Sequence, residues 1–282
     1  MAALQTIEVP HLGGIKAGYA FSKDYDPSKP TCVLINSMCM TASLYHDQFN
    51  NEVLTDAMNL LAIEPLGHGS TSSPSEHFTY WDSAHMALQV MDHFGIQKAF
   101  ALAPERILGL MPLGTSMDYE SLDSRSKGCW DPAANLTVFY EKWTSPSATP
   151  GFVVDDVWCG LVGGIGFGAA ANETRSAFWT QTLKEVYKGD EGRKKVRMAL
   201  NCLLERDGLL LRIGDIKCPV YWLHGTEDTP FGTIVPAEQI KRFTSSVEAK
   251  LVMIEGGAHY LNATNPKEVD EALLDMVTKY SV

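Results

Sequence analysis

The chain alternates short apolar runs with longer amphipathic stretches. Residues 31–40 (TCVLINSMCM) form a dense apolar run, and residues 59–63 (NLLAI) form a second one. Runs of this length and composition are typical of buried strands. The second run breaks after Glu64 into PLGHGSTSSP, a composition that favours a sharply turning loop. The pattern therefore predicts two inner strands, the second of which ends near Glu64.

A helical period follows the second strand. Between residues 80 and 94 the apolar side chains recur at intervals of three and four, and Gly95 ends the pattern. The apolar positions are Trp81, Ala84, Leu88, Met91 and Phe94. This spacing predicts an amphipathic helix, and the run KAFAL at residues 98–102 predicts the strand after it.

The last third of the chain repeats this alternation. Residues 218–230 (CPVYWLHGTEDTP) read as a strand that runs into a polar loop, with a helix around residues 236–243. Residues 249–254 (AKLVMI) predict another strand, followed by a Gly-Gly turn, a histidine loop and a closing helix. Strands that alternate with helices predict an α/β fold, with a mostly parallel central sheet and helices on both faces.

An interval of different composition separates the two halves of this pattern. Residues 118–213 are rich in Trp, Phe, Gly and Ala, and residues 173–187 and 191–205 have helical periodicity. We interpret this interval as a helical lid inserted into one core domain, which would comprise residues 1–117 and 214–282.

Composition and charge exclude several classes of partner. The 282 residues carry a formal net charge of -11, which argues against binding to nucleic acids or anionic membranes. The six cysteines form no CxxC pair and have no metal-ligand spacing with histidine, a pattern typical of reduced thiols. No secretory signal and no apolar stretch of about 18 residues is visible. We therefore expect a cytoplasmic protein without a metal.

One glycine-rich segment needs separate consideration as a cofactor site. Residues 160–172 (GLVGGIGFGAAAN) superficially resemble a phosphate-binding loop. They lack the required glycine spacing, the preceding strand of a βαβ unit and a following Lys-Ser/Thr pair. Tight helix packing or a mobile lid segment explains the glycines better, and we expect no cofactor.

Three motifs carry a resemblance to a known family. In order and spacing, LLAIEPLGHGSTSSP, WLHGTED and MIEGGAHYLNATNPKEV resemble successive landmarks of the α/β-hydrolase superfamily. The resemblance covers residues 31–113 and 216–277 and implies the α/β-hydrolase fold. In that family a strand ending in HGxxD supplies the catalytic acid, and a Gly-Gly-x-His turn supplies the base. The resemblance implies these roles for Asp228 and His259.

The chemistry of the family explains these residue types. A serine alkoxide attacks an acyl carbon, an imidazole accepts the hydroxyl proton, and a carboxylate holds the imidazole in the required tautomer. The resemblance also implies an oxyanion-binding backbone N–H in the loop NSMCM, at Ser37 or Met38. Cys39 lies in the same loop, but no activating base is visible for it, and we interpret it as a packed loop residue.

The expected nucleophile is missing. Family members follow the strand that corresponds to KAFAL with Gly-x-Ser-x-Gly and a helix, whereas this chain has no Gly-x-Ser-x-Gly. Only residues 103–106 separate KAFAL from the next apolar run, ILGLMPLGTS. Parallel neighbours ordinarily need a crossover of about a dozen residues, so we expect that both runs cannot be parallel strands and that the sheet is perturbed near residues 98–113.

Three outcomes would accommodate the short connection. The two runs could pair as a hairpin, one run could leave the sheet, or the chain could be a splice or gene-model product that lacks roughly 15–20 residues, the length of an elbow and a short helix.

Other side chains could take over part of the catalytic role. Ser116 in PLGTSMD follows a glycine and could approach His259 if its strand moved into the vacant place in the sheet, although a loop hydroxyl is the alternative. Asp118 could replace the acid, because some family members carry it after this strand. Ser70 in GHGST has no strand-to-helix elbow around it, and we interpret it as a turn residue.

These observations lead to two functional hypotheses. The resemblance implies a hydrolase of small, largely apolar organic esters or lactones, in the style of enzymes that tailor secondary metabolites. Without the elbow, its ordinary serine-type turnover should be low or absent. The alternative is a non-hydrolytic pseudoenzyme or a lyase-like binding protein in which His259 acts as an acid or base.

Overall fold

Eight strands form the sheet of the computed structural model, which describes residues 4–100 and 106–281. Six of them are hydrogen-bonded in the order β1-β2-β4-β3-β5-β6, and β7 pairs with β8. Parallel bridges from Leu110 to Val220 and from Leu113 to Leu223 join the two groups along the continuation of β6. The strands are β1 Gln5–Val9, β2 Ile15–Phe21, β3 Thr31–Ile35, β4 Asn59–Ile63, β5 Ala99–Phe100, β6 Ile107–Gly109, β7 Val220–Gly225 and β8 Ala249–Ile254.

Most of the strand pairs are parallel, as predicted. β3 runs parallel to β4 over five residue pairs, and β7 runs parallel to β8 over six. The exceptions are at one edge, where β1 pairs antiparallel with β2 and β2 pairs antiparallel with β4. The predicted end of the second inner strand is also confirmed, because β4 ends at Ile63, immediately before Glu64.

Helices cover both faces of the sheet. Helix α3 packs against β1 and β2, whereas α11 packs against β6 and β7. Side chains alternate along β4, so Leu61 and Ile63 join the core with α3 while Leu60 and Ala62 join the core with α11. The helices are α1 His46–Asn50, α2 Glu52–Ala57, α3 Tyr80–His93, α4 Leu122–Ser126, α5 Pro132–Lys142, α6 Asp156–Phe167, α7 Glu173–Val186, α8 Gly189–Leu204, α9 Ile234–Gln239, α10 Leu261–Thr264 and α11 Pro266–Tyr280.

Helix α3 has the predicted extent, and part of the predicted apolar stripe faces the core, where Met91 is buried and Leu88 and Phe94 pack against it. A capping box between Thr79 and Asp82 starts it. Trp81, on the apolar stripe, is 41% exposed, because the N-terminal turn overhangs a cavity and the indole N–H donates to Asp207. The residues of α3 that are buried in the core are Met86, Ala87, Val90 and Met91.

The structure corrects the prediction for the two short runs. β5 and β6 are parallel neighbours, with Ala99 opposite Ile107, so the expectation that both runs cannot be parallel strands is wrong. The described part of β5 has two residues and β6 has three, so the chain must return only about two residue lengths from Phe100 to begin β6. Six connecting residues, at ~3.3–3.6 Å each, are long enough for that return.

The expected perturbation of the sheet is visible around this connection. The register shifts between Ala99 and Phe100, and beyond Gly109 the pairing continues only as isolated bridges. Residues 101–105, where an elbow would follow KAFAL, lie outside the described residues.

A helical segment, residues 122–204, lies between β6 and β7 and contains α4 to α8. It packs around an aromatic core, which it shares with Met40 and Tyr260 and in which Trp143 and Trp158 meet edge to face at 5.1 Å between ring centroids. The glycine-rich stretch forms most of α6, and the ring of Tyr260 lies against Gly166 where any side chain would stand. Close helix packing therefore explains this glycine. Among the described helices, none is both long and apolar enough to cross a membrane.

We expect Gly166→Ala to destabilise the protein by about 1–3 kcal/mol, because the added methyl group collides with the Tyr260 ring. Gly164 lies in the same helix with nothing near the position of a β-carbon. The matched change Gly164→Ala should therefore stabilise the helix by about 0.5–1 kcal/mol. Urea unfolding midpoints of the two variants would check this, and equal midpoints would contradict the packing described here.

Candidate active site

Two glycines bring the loops after β7 and β8 together. Any side chain on Gly225, the last residue of β7, would collide with the Gly257 carbonyl. The backbone N–H of Glu227 donates to this carbonyl over 2.9 Å, and the N–H of Thr226 donates to Ile254 O. The loops that carry Asp228 and His259 are therefore held together by direct backbone contact.

Asp228 and His259 form a hydrogen-bonded dyad. The distance between His259 Nδ1 and Asp228 Oδ2 is 2.9 Å, and the other carboxylate oxygen accepts from the N–H of Phe231 at 3.0 Å. The Asp228 side chain is fully buried, whereas 17% of the His259 side chain remains exposed. Because the carboxylate can only accept, the proton of the neutral imidazole lies on Nδ1, and Nε2 of that tautomer has a free lone pair. The structure thus brings together the two residues that the resemblance selected.

A third glycine, Gly114, supports the dyad from the neighbouring strand. It has a φ of 46°, and its N–H donates to Leu223 O of β7 at 3.0 Å. A β-carbon at this position would lie 2.8 Å from Asp228 Oδ2 and 2.5 Å from the carbonyl oxygen of His259. The dyad therefore depends on a residue without a side chain here, which the sequence motifs did not reveal.

A second histidine stabilises the loop that carries the acid. His224 is fully buried in β7, and its Nε2 donates to the carbonyl of Gly232 over 2.6 Å. Burial lowers the pKa of His224, so the ring is neutral beside Asp228, whose Oδ2 lies 4.0 Å away. This bond closes the turn from Asp228 to Gly232 and keeps the carboxylate in place.

His259 opens onto a cavity of about 410 Å³. Ser37 and Met38, the predicted oxyanion loop, form part of its wall, so the structure brings them to the same cavity as the dyad. The helical segment contributes Trp130 and Ile165 to the wall. The cavity is therefore closed partly by the core of the sheet and partly by the segment predicted to be a lid.

The structure does not bring Ser116 to His259. Ser116 is buried outside the cavity wall, and its Oγ accepts from the N–H of Asp118 at 3.0 Å. Asp118, the alternative acid, accepts from Ser121 Oγ at 2.5 Å and from its own neighbour Tyr119. In this arrangement His259 is paired with Asp228.

The other two candidate nucleophiles, Ser70 and Cys39, have environments that indicate a structural role. Ser70 donates its hydroxyl to the buried carboxylate of Glu64 at 2.9 Å, as expected for a turn residue. Cys39 is completely buried, and burial raises the pKa of its thiol to about 12. It is therefore a protonated, unreactive side chain near neutral pH.

The wall of the cavity also contains His68, which sequence reasoning missed. This side chain is 3% exposed, and its Nδ1 donates to Leu66 O over 2.9 Å. Burial lowers the pKa of His68 to about 4, so the ring is neutral at pH 7. The only signal in the sequence is its place in GHG, between an inner strand and a helix.

No cluster of three or more His, Cys, Asp or Glu side chains that could hold a metal ion occurs in residues 4–100 and 106–281.

Solved structures share the architecture over nearly the whole chain. A hydrolase from Pseudomonas aeruginosa matches with a TM-score of 0.73 and 19% identity, over 97% of this chain and 98% of that one. An enol-lactonase from Burkholderia xenovorans matches with a TM-score of 0.74 and 17% identity, over 96% and 100%. An alpha/beta hydrolase enzyme from a deep-sea metagenome library matches with a TM-score of 0.72 and 13% identity, over 96% and 97%.

No protein-family model and no curated protein matches the sequence. The similarity to solved structures, with the strand order and the position of the helices, shows the fold. The chain has the α/β-hydrolase fold, as the sequence motifs implied.

We expect Gly114→Ala to break the dyad, because its β-carbon would occupy space against both Asp228 and His259. The proton on His259 Nδ1, which is held by the carboxylate, should give a low-field proton NMR signal in the parent protein and lose it in the variant. Gly95→Ala is the control, because Gly95 also has a positive φ, 70°, but has no atom near the β-carbon position. An unchanged signal in Gly114→Ala would contradict this geometry.

We expect part of the acid sensitivity of the fold to come from His68. Its pKa is about 4 when folded and about 6.5 when unfolded. The unfolded chain therefore binds the extra proton between these values, and stability is lost as the pH falls through this window. On acidification from about pH 7 to about pH 4.5, the free energy of unfolding should fall by about 2 kcal/mol less in His68→Asn than in the parent protein. Urea midpoints would measure this, with exposed His93→Asn as the control.

Proposed function

We propose that the protein binds a small, largely apolar organic molecule in the cavity and that His259, oriented by Asp228, acts on it as a general base or acid. The 2.9 Å bond between His259 Nδ1 and Asp228 Oδ2 carries this proposal, because it leaves Nε2 unprotonated on the cavity side of a buried carboxylate. The predicted lid, residues 118–213, which contains helices α4 to α8, would cover this molecule. This chemistry needs neither a metal nor an organic cofactor. We expect the protein to be located in the cytoplasm.

The substrate class that we favour is a small ester or lactone, with tailoring of secondary metabolites as the setting. The similar structures are a hydrolase and an enol-lactonase among others. Ser37 and Met38 line the cavity, and in this proposal their backbone N–H groups stabilise a developing oxyanion. Turnover of the ordinary serine type should be low. Within residues 4–100 and 106–281, no serine or threonine hydroxyl is hydrogen-bonded to His259.

The same observation favours a second candidate, a lyase-like or purely binding protein. Because no serine or threonine hydroxyl of the described residues is bonded to Nε2, this nitrogen can accept a proton directly from a ligand instead of from a nucleophilic hydroxyl. In this case His259 would act as an acid or base on the ligand, and ester turnover would be absent altogether.

An ester and lactone panel tests the first candidate. We expect slow turnover that falls at least about 100-fold in His259→Ala, because a general base typically contributes 10²–10⁴-fold. His93→Ala, an exposed change distant from the cavity, should leave the rate unchanged. A fluorophosphonate probe should form no rapid adduct at Ser116, as shown by peptide mass analysis.

Two results would change the conclusion. Rapid labelling of Ser116 would show that this serine is a nucleophile after all. Thermal stabilisation by ligands without any turnover on the panel would favour the binding or lyase-like candidate over the hydrolase.

A further inference from the structure

His68 lies on the cavity wall, although the proposed chemistry does not use it. The loop that carries it turns at Gly67 and Gly69, whose φ angles of 81° and 47° lie in the left-handed region that favours glycine. A side chain on Gly69 would collide with the carboxylate of Glu64, which is itself fully buried. The backbone on both sides of His68 is therefore constrained, and the imidazole has a fixed position in the cavity that it shares with His259.

The hydrogen bond of Nδ1 determines what the other nitrogen can do. A carbonyl oxygen only accepts, so the 2.9 Å contact with Leu66 O places the proton on Nδ1 and leaves a lone pair on Nε2. Residues 4–100 and 106–281 supply no donor to Nε2. The side chain is 3% exposed and lines the cavity, so this acceptor is available to a ligand or water there.

The charges around the cavity limit the kind of ligand. Among the described residues that line it, Arg206 is the only lysine or arginine. Its Nη2 is occupied by the carboxylate of buried Glu120 and by the carbonyl of Asp118. Asp207 adds a negative charge to the same wall. Because Arg206 is already paired with Glu120 and Asp207 is negative, the described lining of the cavity offers no free cation to a carboxylate ligand, which favours an uncharged one.

We propose that His68 is a substrate-positioning residue whose Nε2 accepts a hydrogen bond from a hydroxyl or N–H group of an uncharged, largely apolar ligand. This inference rests on the proposed function only in taking the cavity as the ligand site. It adds a property that the dyad does not imply, namely selection for a donor group on the ligand, at a position fixed by the loop after β4.

Three ring-matched probes test the donor requirement. Naphthol carries a hydroxyl donor, the corresponding methoxynaphthalene has the same ring without the donor, and the corresponding naphthoate is an anion. Calorimetric titration should show that the naphthol binds about three- to tenfold more tightly than its methyl ether, the range for one net hydrogen bond. The naphthoate should bind most weakly of the three.

Two variants of His68 separate positioning from folding. His68→Asn keeps a donor near the position of Nδ1, for the bond to Leu66 O, but has nothing at the position of Nε2. His68→Gln places a polar atom near Nε2. The naphthol preference should fall to about onefold in His68→Asn and return in part in His68→Gln, with near-ultraviolet circular dichroism confirming that both variants are folded.

The outcomes separate this inference from the proposed function. A parent protein that binds the naphthol and its ether equally, or binds none of the probes, would overturn the role of His68. So would a preference that survives in folded His68→Asn. If no ester is turned over but the naphthol still binds more tightly than its ether, the result would count against hydrolysis and support the role of His68, because binding is measured without turnover.

Discussion

The backbone contact between Gly225 and Gly257 is the constraint on which the site depends. Parallel strands stand about 4.8 Å apart, and the loops beyond β7 and β8 stay this close only because neither glycine has a side chain. The contact sets the separation of Asp228 and His259, so their hydrogen bond follows from the path of the backbone. Gly114 repeats the principle on the next strand. The chain segments that follow β6, β7 and β8 thus meet at His259, and each has a glycine at the point of contact.

The sequence predicted those parts of the molecule that depend on local pattern. The strand at residues 249–254 has the predicted bounds, and helix α3 ends beside Gly95, because alternation and helical period are properties of neighbouring residues. The dyad was found through motifs whose order is itself a property of the chain. Gly114 is not predicted because its role arises from contacts with Asp228 and His259, which are far away in sequence. His68 is held by near neighbours, but the cavity that it shares with His259 forms only when distant segments meet, which no period reveals.

The pairing of β5 with β6 shows where a general rule reached its limit. The rule that parallel neighbours need a dozen connecting residues assumes strands of ordinary length, whereas β5 has two residues and β6 three. Shortening the strands shortens the return path in proportion. The sheet therefore keeps its strand order and its mostly parallel character across a connection of only six residues.

This narrow pairing also has a consequence for cooperativity. Within residues 4–100 and 106–281, β3 and β5 share one residue pair, Cys32 with Phe100, whereas β3 and β4 share five pairs and β7 and β8 share six. Local opening takes place where backbone bonds and buried contacts are fewest. Among the described residues, this junction has the fewest paired residues, and the cavity spans it, with Ser37 on one side and His259 on the other. A bound molecule that touches both sides would therefore suppress local opening between the two parts of the sheet and make them unfold together.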